Sequence, residues 1–331
     1  MADSAPEWLI EEGIGESRAI LLDGDTIVAS RLHWPGGITL GQVEDATVIE
    51  LKPHAGQRRR GTVRFANGEL AHAARLPRDT SEGAKVRVEV TRESLAERGR
   101  LKLAQAVYSE GDLRPAPSLA EQIASDGDSV RIVRRFPDNG GWEELWSEAW
   151  SGDVSFSGGA LILSDTPAMT LVDVDLNDHF EALYFNGLPV LARTLARMNI
   201  GGNIGIDFPT LDKSDRKAVD DRLAILLTDW SHERTAMNGF GFVQIIARMG
   251  QPSLLQRISR HRVGAAARLA MRRAEMVEGP GITLVTVHPA LKAKIRPEWL
   301  DELRRRTGRD VRIETDPGLA LEAPHAQLVP R

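Results

Sequence analysis

Between residues 8 and 32, apolar and polar positions alternate in the short runs WLIEE, RAILLDG and TIVASRL, with Asp23-Gly24-Asp25 separating the second and third. Asp-Gly between alternating apolar residues signals a hairpin, so this stretch predicts three short strands. From 41 to 106 the alternation returns in VEDATVIELK, GTVRFANGELAHAARL, AKVRVEVTRE and GRLKLAQAV, punctuated by Gly68 and Gly83. Strands this short and regular predict a small antiparallel barrel of OB type. Such barrels bind oligonucleotides or act as plain structural modules, and the pattern alone leaves both open.

Residues 109–128 are rich in Pro, Gly and Asp, the mark of a linker with one short helix. Trp142, Trp146 and Trp150 then recur every fourth residue, on one face of a predicted helix. An aromatic stripe at that spacing is usually core, so burial within this chain is expected rather than base stacking or docking to a partner. Past residue 151 strands and helices mix. GGALILSD and AMTLVDVDL read as strands, 188–198 as a helix, NIGIDF as a strand and 216–227 as a helix. GFGFVQIIAR reads as a strand before one arginine-rich helix over 253–276. The tail offers the strand ITLVTVHP, a helix over 297–306 and the strand DVRIETD. The predicted fold class is multidomain α+β: an OB-type barrel inserted near the N-terminus, an α/β catalytic-type domain, and a small α+β C-terminal domain.

Composition narrows the chemistry. The chain has 331 residues, 42% of them hydrophobic and 27% charged, which is ordinary globular usage. It has no cysteine, which excludes disulfides, thiolate nucleophiles and Cys-bound zinc. The acidic start MADSAPEWLIEEG is unlike a secretory signal, and no apolar run is long enough for a membrane span, so a cytoplasmic protein without a membrane partner is expected. The net charge of −5 hides a local asymmetry. Residues 234–274 contain no Asp or Glu but hold Arg234, Arg248, Arg257, Arg260, Arg262, Arg268, Arg272 and Arg273. Such a run fits a polyanion-binding face as well as it fits a solvated helix surface.

The eight histidines form no H-x-x-x-H or H-E-x-x-H pair, and neither a P-loop nor a G-x-S-x-G elbow occurs. What remains is carboxylate. Asp173 and Asp175 close the run MTLVDVDL, two residues apart and so on one side of a strand, and Asp207 closes NIGIDF at the corresponding place. Carboxylates gathered from neighbouring strands suit magnesium or manganese, which take hard oxygen ligands and leave positions open for phosphate and water. Strand-end aspartates are also common turn residues or arginine partners, and the pattern alone favours that plainer role.

Three segments carry a family resemblance: FSGGALILSDTPAMTLVDVD, ARTLARMNIGGNIGIDF, and Phe240-Gly241-Phe242 with Pro252-Ser253-Leu254. Together they resemble the catalytic core of the ribonuclease E/G family, with weaker similarity in the opening strands, the barrel and the tail RTGRDVRIETDPGL. The resemblance implies a divalent-metal-dependent endoribonuclease that cuts single-stranded RNA to 5′-phosphate and 3′-hydroxyl ends. It implies magnesium, with manganese as the alternative, held by Asp173 and Asp207. It also implies a DNase I-like catalytic domain over 153–276, an OB-type RNA-binding barrel over 41–106, and a small domain over 277–331. The strands of 1–40 would pack with 107–152 as a reduced RNase H-like region.

The chain departs from the family at several points. Asp175 stands where the family has Asn, adding a third candidate catalytic carboxylate. The stretch 111–150 is too short for the family's 5′-sensor domain, and Gly239 replaces its companion arginine, so cleavage without 5′-monophosphate sensing is expected. The zinc-binding cysteines are absent, which leaves open only a homo-oligomer not linked by zinc. The barrel's stacking aromatics are missing, with Phe65 expected in the core. Arg58, Arg59, Arg60, Arg64, Arg100, Lys102 and Arg248 are then the candidate RNA-backbone contacts. The alternative reading is a non-catalytic RNA-binding protein with a drifted site of this type.

Overall fold

The computed structural model describes residues 7–52, 59–97, 99–137, 141–177 and 179–330. Strands β1 (Trp8–Gly13), β2 (Glu16–Asp23) and β3 (Thr26–His33) form the expected antiparallel meander. The chain then enters the barrel strands β4 (Val43–Lys52), β5 (Arg59–Arg64), β6 (Leu70–Leu76) and β7 (Lys85–Arg92). A projecting hairpin of β8 (Leu95–Glu97) and β9 (Arg100–Lys102) precedes the closing strand β10 (Ala104–Tyr108). The closed order is β10-β6-β5-β4-β7, with β10 parallel to β6 and antiparallel to β7, an OB-like arrangement. Alternation explains the closure: Val48, Val63, Ala71, Ala73, Val88 and Ala106 turn inward, while the charged neighbours on the same strands face out. Phe65 belongs to this core.

After the barrel comes α1 (Leu119–Ser125), started by a capping box between Ser118 and Glu121. Next, β11 (Val130–Val133) returns to lie parallel to β1, giving the order β11-β1-β2-β3. The barrel is therefore an insertion between two segments of one sheet. Helix α2 (Trp142–Ser151) buries Trp142, Trp146 and Trp150 within the chain, and the last two rings stack at 5.1 Å. Burying aromatic side chains of this size contributes about 1.5–3 kcal/mol each, so the four-residue spacing is a core signal here.

A second sheet follows, built from β12 (Asp153–Phe156), β13 (Gly159–Asp165), β14 (Thr170–Leu176), β15 (Gly202–Asp207), β16 (His232–Arg234) and β17 (Phe242–Ala247). Its order is β12-β13-β14-β15-β17-β16, with β14 and β15 the only parallel neighbours among the described residues. The crossover between β14 and β15 consists of α3 (Phe180–Ala182), one π-helical turn (Leu183–Gly187) and α4 (Leu188–Arg197). One sheet face, including Leu161, Leu163, Val172, Val174, Ile204, Ile206, Val243 and Ile245, is buried. The other faces out.

Helix α5 (Lys213–Leu226) starts three residues before the expected position because Asp212 caps it, its side chain accepting from the Asp215 amide at 2.9 Å. The arginine-rich helix expected over 253–276 is two helices, α6 (Leu254–Arg260) and α7 (Arg262–Met276). His261 leaves helical geometry at φ −123° and ψ 41°. The flanking side chains are anchored in different directions: Arg260 to Asp165, and Arg262 to the Trp150 carbonyl. The tail forms β18 (Ile282–Val287), α8 (Pro289–Lys292), α9 (Pro297–Thr307), β19 (Val311–Thr315) and β20 (His325–Val329), with sheet order β19-β18-β20.

Apart from the barrel and a small cluster under α1, the apolar interior is continuous. Ile20 of β2, Trp146 of α2, Val172 of β14, Leu269 of α7 and Val285 of β18 share one core. No helix among the described residues is long and apolar enough to cross a membrane.

Candidate functional site

Along β14 the residues alternate cleanly: Val172 and Val174 are buried, Asp173 and Asp175 exposed. The parallel register places Asp173 directly beside Asp207 on β15, one strand spacing or about 4.8 Å away. All three carboxylates therefore share the outward face. Asp173 and Asp207 stand at the carboxyl end of the parallel pair, the usual ligand-binding edge of such strands. Neither Asp173, Asp175 nor Asp207 has an ion pair or a side-chain hydrogen bond among the described residues. Among the described residues no three or more His, Cys, Asp or Glu side chains converge as a metal-holding group, so the site rests on the pair rather than on a closed triad.

Sequence reasoning missed the aromatic edge of this face. Phe242 is the register partner of Asp207 on the far side of β15. Its ring lies over Gly205, where an added Cβ would meet Phe242 Cζ at 2.5 Å. Gly241, at φ +86°, turns the chain so that Phe240 stands 89% exposed. The turn is pinned by Asn238, whose Oδ1 accepts from the Phe240 amide at 2.8 Å and the Phe242 amide at 3.1 Å. An exposed ring on a backbone turn held in place near the carboxylate edge is a ready platform for a nucleobase. The glycine between two phenylalanines is the signal that could have revealed it.

The candidate RNA contacts are not brought together. Arg58 lies outside the described residues. Arg59 donates to the Thr80 carbonyl at 2.7 Å, at the loop before β7. Arg60 and Arg64 are exposed on β5. Arg64 pairs with Leu70, and the next residue, Ala71, pairs with Ala104, so Arg64 lies about 10 Å, two strand spacings, from the chain just after Lys102. Arg100 and Lys102 both reach Glu97 of their own hairpin, which offsets part of their charge. Arg248 is exposed on a different cavity, of about 610 Å³, between the barrel and α1. A groove of about 320 Å³ connects the hairpin to the sheet, lined by Lys102, Gln105, Thr170 and Asn203. Asn203 lies four residues before Asp207 on the same face, about 13 Å away along β15.

The acid-free arginine run is neither a polyanion face throughout nor a solvated helix surface. Arg257 is buried on Glu93 and Arg272 is buried on Glu11, whose other partner is Arg18. Arg260 pairs with Asp165, Arg234 with Asp220 and Arg273 with Glu143. Five of the run's eight arginines find their carboxylates outside the run, on or beside other strands and helices. Burial pushes the Glu11 carboxyl up, but the two guanidiniums and the hydrogen bonds from Arg272 and the Phe136 amide outweigh it, leaving the group below its ordinary value.

No family model matches the sequence, and no curated protein matches it.

Proposed function

We propose that this protein is a divalent-metal-dependent endoribonuclease acting on single-stranded RNA, with its reaction centre at Asp173 and Asp207. The observation that carries the reading is the in-register pairing of these two unclaimed carboxylates on adjacent parallel strands. Their donor chemistry fits magnesium, which is commonly held by one or two carboxylates and completes its shell with water and phosphate oxygens. Bound there, the ion would polarise the scissile phosphate and make a neighbouring water acidic. Asp173 and Asp207 would hold it through their outer oxygens. Asp175, the next outward residue on β14, would accept the hydrogen bond of the attacking water. The water oxygen would bond to phosphorus as its proton passes to Asp175, the bond to the 3′-oxygen would break, and that oxygen would take up a proton from solvent, leaving 5′-phosphate and 3′-hydroxyl ends.

In this reading the six-stranded sheet is a DNase I-like domain, and β11-β1-β2-β3 with α1 and α2 is a reduced RNase H-like region. The barrel hairpin guides RNA along the outward sheet face toward the carboxylates, and Phe240 stacks a base beside them. Cleavage is indifferent to the 5′ group.

The test is cutting of an A/U-rich single-stranded RNA in magnesium or manganese. Activity that requires the ion and is lost in Asp173→Asn and Asp207→Asn supports the reading, whereas cutting retained in both variants removes it. A second reading, a non-catalytic RNA binder with a drifted site of this type, draws on Asp175 standing where the family has Asn and on the missing barrel aromatics. Such a protein would retain the RNA uncut under the same conditions.

A further inference from the structure

The break at His261 gives α7 an N-terminus of its own, and it opens onto a cavity of about 780 Å³ between α7 and the C-terminal unit. The first backbone bond of α7 is made by the Ala265 amide to the His261 carbonyl at 2.9 Å, so the amides of Arg262, Val263 and Gly264 precede it. All three residues line the cavity. His261 provides no side-chain cap.

The cavity's charge is one-sided. Arg262, Arg268, Lys294 and Arg296 line it, and none has a carboxylate partner among the described residues. Arg262 donates to the Trp150 carbonyl at 3.0 Å, and Arg268 donates to the carbonyls of Gly15 and Gly264. The Arg268 guanidinium lies between two indoles, 4.2 Å from the Trp34 ring centre and 5.0 Å from that of Trp299. Arg296 lies 5.7 Å from the same Trp299 ring. The nearby acids are already taken. Glu16 receives Arg18 and the Trp34 indole N–H, and Asp165 receives Arg260 and Gln256. Burial first, and the neighbouring charges after it, register on the groups themselves. Burial, then Arg296 and Arg257, bring Arg268 down to about 10, with Glu16 opposing the shift. Burial, then Arg257, Arg268 and Lys294, lower His261.

We propose that this cavity is a phosphate-binding site, built to take a phosphorylated ligand of about nucleotide size. Four cations that make no ion pair among the described residues, three of them over indole faces, and the start of a fifteen-residue helix converge on one space. Guanidinium forks and helix-start amides match phosphate oxygens, and the volume falls in the range of small-ligand sites. The phosphate could come from a free phosphorylated compound or from an RNA backbone. A cavity of about 250 Å³ shares Trp34, His261 and Arg268 with this one, and shares Leu95, Ala96 and Gln256 with the groove at the barrel hairpin. The site does not depend on the carboxylate edge.

The experiment is calorimetric titration of the full chain with tripolyphosphate, at about 50 and 200 mM salt. Binding is expected, weaker at the higher salt, and reduced at least about tenfold in the double variant Lys294→Ala/Arg296→Ala. Both side chains are exposed and lack carboxylate partners, so the variant should melt as the parent does. Asp173→Asn should bind tripolyphosphate unchanged, which separates this site from the fate of the nuclease reading. Displacement of a labelled RNA oligonucleotide by tripolyphosphate would assign the site to the RNA backbone. Tripolyphosphate binding that leaves the RNA in place would assign it to a free phosphorylated compound. No binding by the parent chain, or equal binding by the double variant, overturns the proposal.

Discussion

Glu93 and Arg257 meet at 2.6 Å at the junction of barrel and body, each side chain less than a tenth exposed. Glu93 directly follows β7, its amide donates to the Gly250 carbonyl at 2.9 Å, and its Oε1 accepts from the Leu40 amide at 3.4 Å. One residue therefore ties the barrel to the turn before α6. Arg257→Met should destabilise the protein by about 3–5 kcal/mol, because it leaves Glu93 buried and uncompensated. Glu93→Leu/Arg257→Met should recover much of that loss. Urea unfolding followed by tryptophan fluorescence measures both, and equal losses in the single and double variants would rule out this account.

Glu11 makes stability depend on acid. Its carboxyl lies below the ordinary value of 4.5 when folded, so its contribution is complete above that pH and is lost as pH falls through the folded value. Thermal unfolding between pH 6 and about 3 should show a falling Tm in the parent chain. In Glu11→Gln the Tm should be lower at pH 6 and fall less steeply, because Arg18 and Arg272 then lack their anion at every pH. A variant with the parent's slope would contradict the assignment.

Two glycines hold the carboxylate edge at different costs. A Cβ on Gly159 would strike the Asp175 carbonyl, a backbone atom that moves only with its strand. On Gly205 it would meet Phe242 Cζ at 2.5 Å and Met169 Sδ at 2.8 Å, both ends of mobile side chains. Gly159→Ala should cost about 1–3 kcal/mol and Gly205→Ala less. Chemical denaturation of the two variants compares them directly, and the reverse order would show that the strands yield more readily than the side chains.

Phe240 contributes little to the core, so its removal should be felt by ligand rather than by fold. Phe240→Ala should weaken single-stranded RNA binding by about 1–3 kcal/mol with an unchanged Tm, and Phe240→Trp should restore it. Fluorescence anisotropy with a labelled oligonucleotide in calcium, to suppress cutting, reads the difference. Unchanged affinity in Phe240→Ala would exclude the ring from the RNA path.

What the sequence made legible follows from the range of each interaction. The barrel, the tryptophan helix and the outward pair Asp173 and Asp175 depend on local periodicity, which is visible in a window of ten residues. That Asp207 aligns with Asp173 is only hinted at by matching run ends, because register is set by strand pairing. The arginine run misleads because Glu11 and Glu93, the acids that bury Arg272 and Arg257, lie far upstream. The break at His261 has no proline or glycine to announce it and comes from anchors on either side. Strand β20 passes unnoticed because HAQLV is short and lacks clear alternation, and β18 supplies its partner. The exposed aromatic beside the carboxylates was hidden for the same reason as the register: Phe240 owes its position to a turn held by Asn238.

The insertion of the barrel sets an order of assembly. Trp8 cannot meet Val130, nor donate to Asp128 across 120 residues of chain, until everything between has been synthesised. Closing an unstructured loop of that length costs about 4 kcal/mol in chain entropy, and a barrel that has already folded shortens the loop by bringing its two ends together. A mutation that weakens the barrel should therefore also slow the folding of the body, and on the ribosome the half-made body must wait, its apolar surface open, for the last strand of its first sheet.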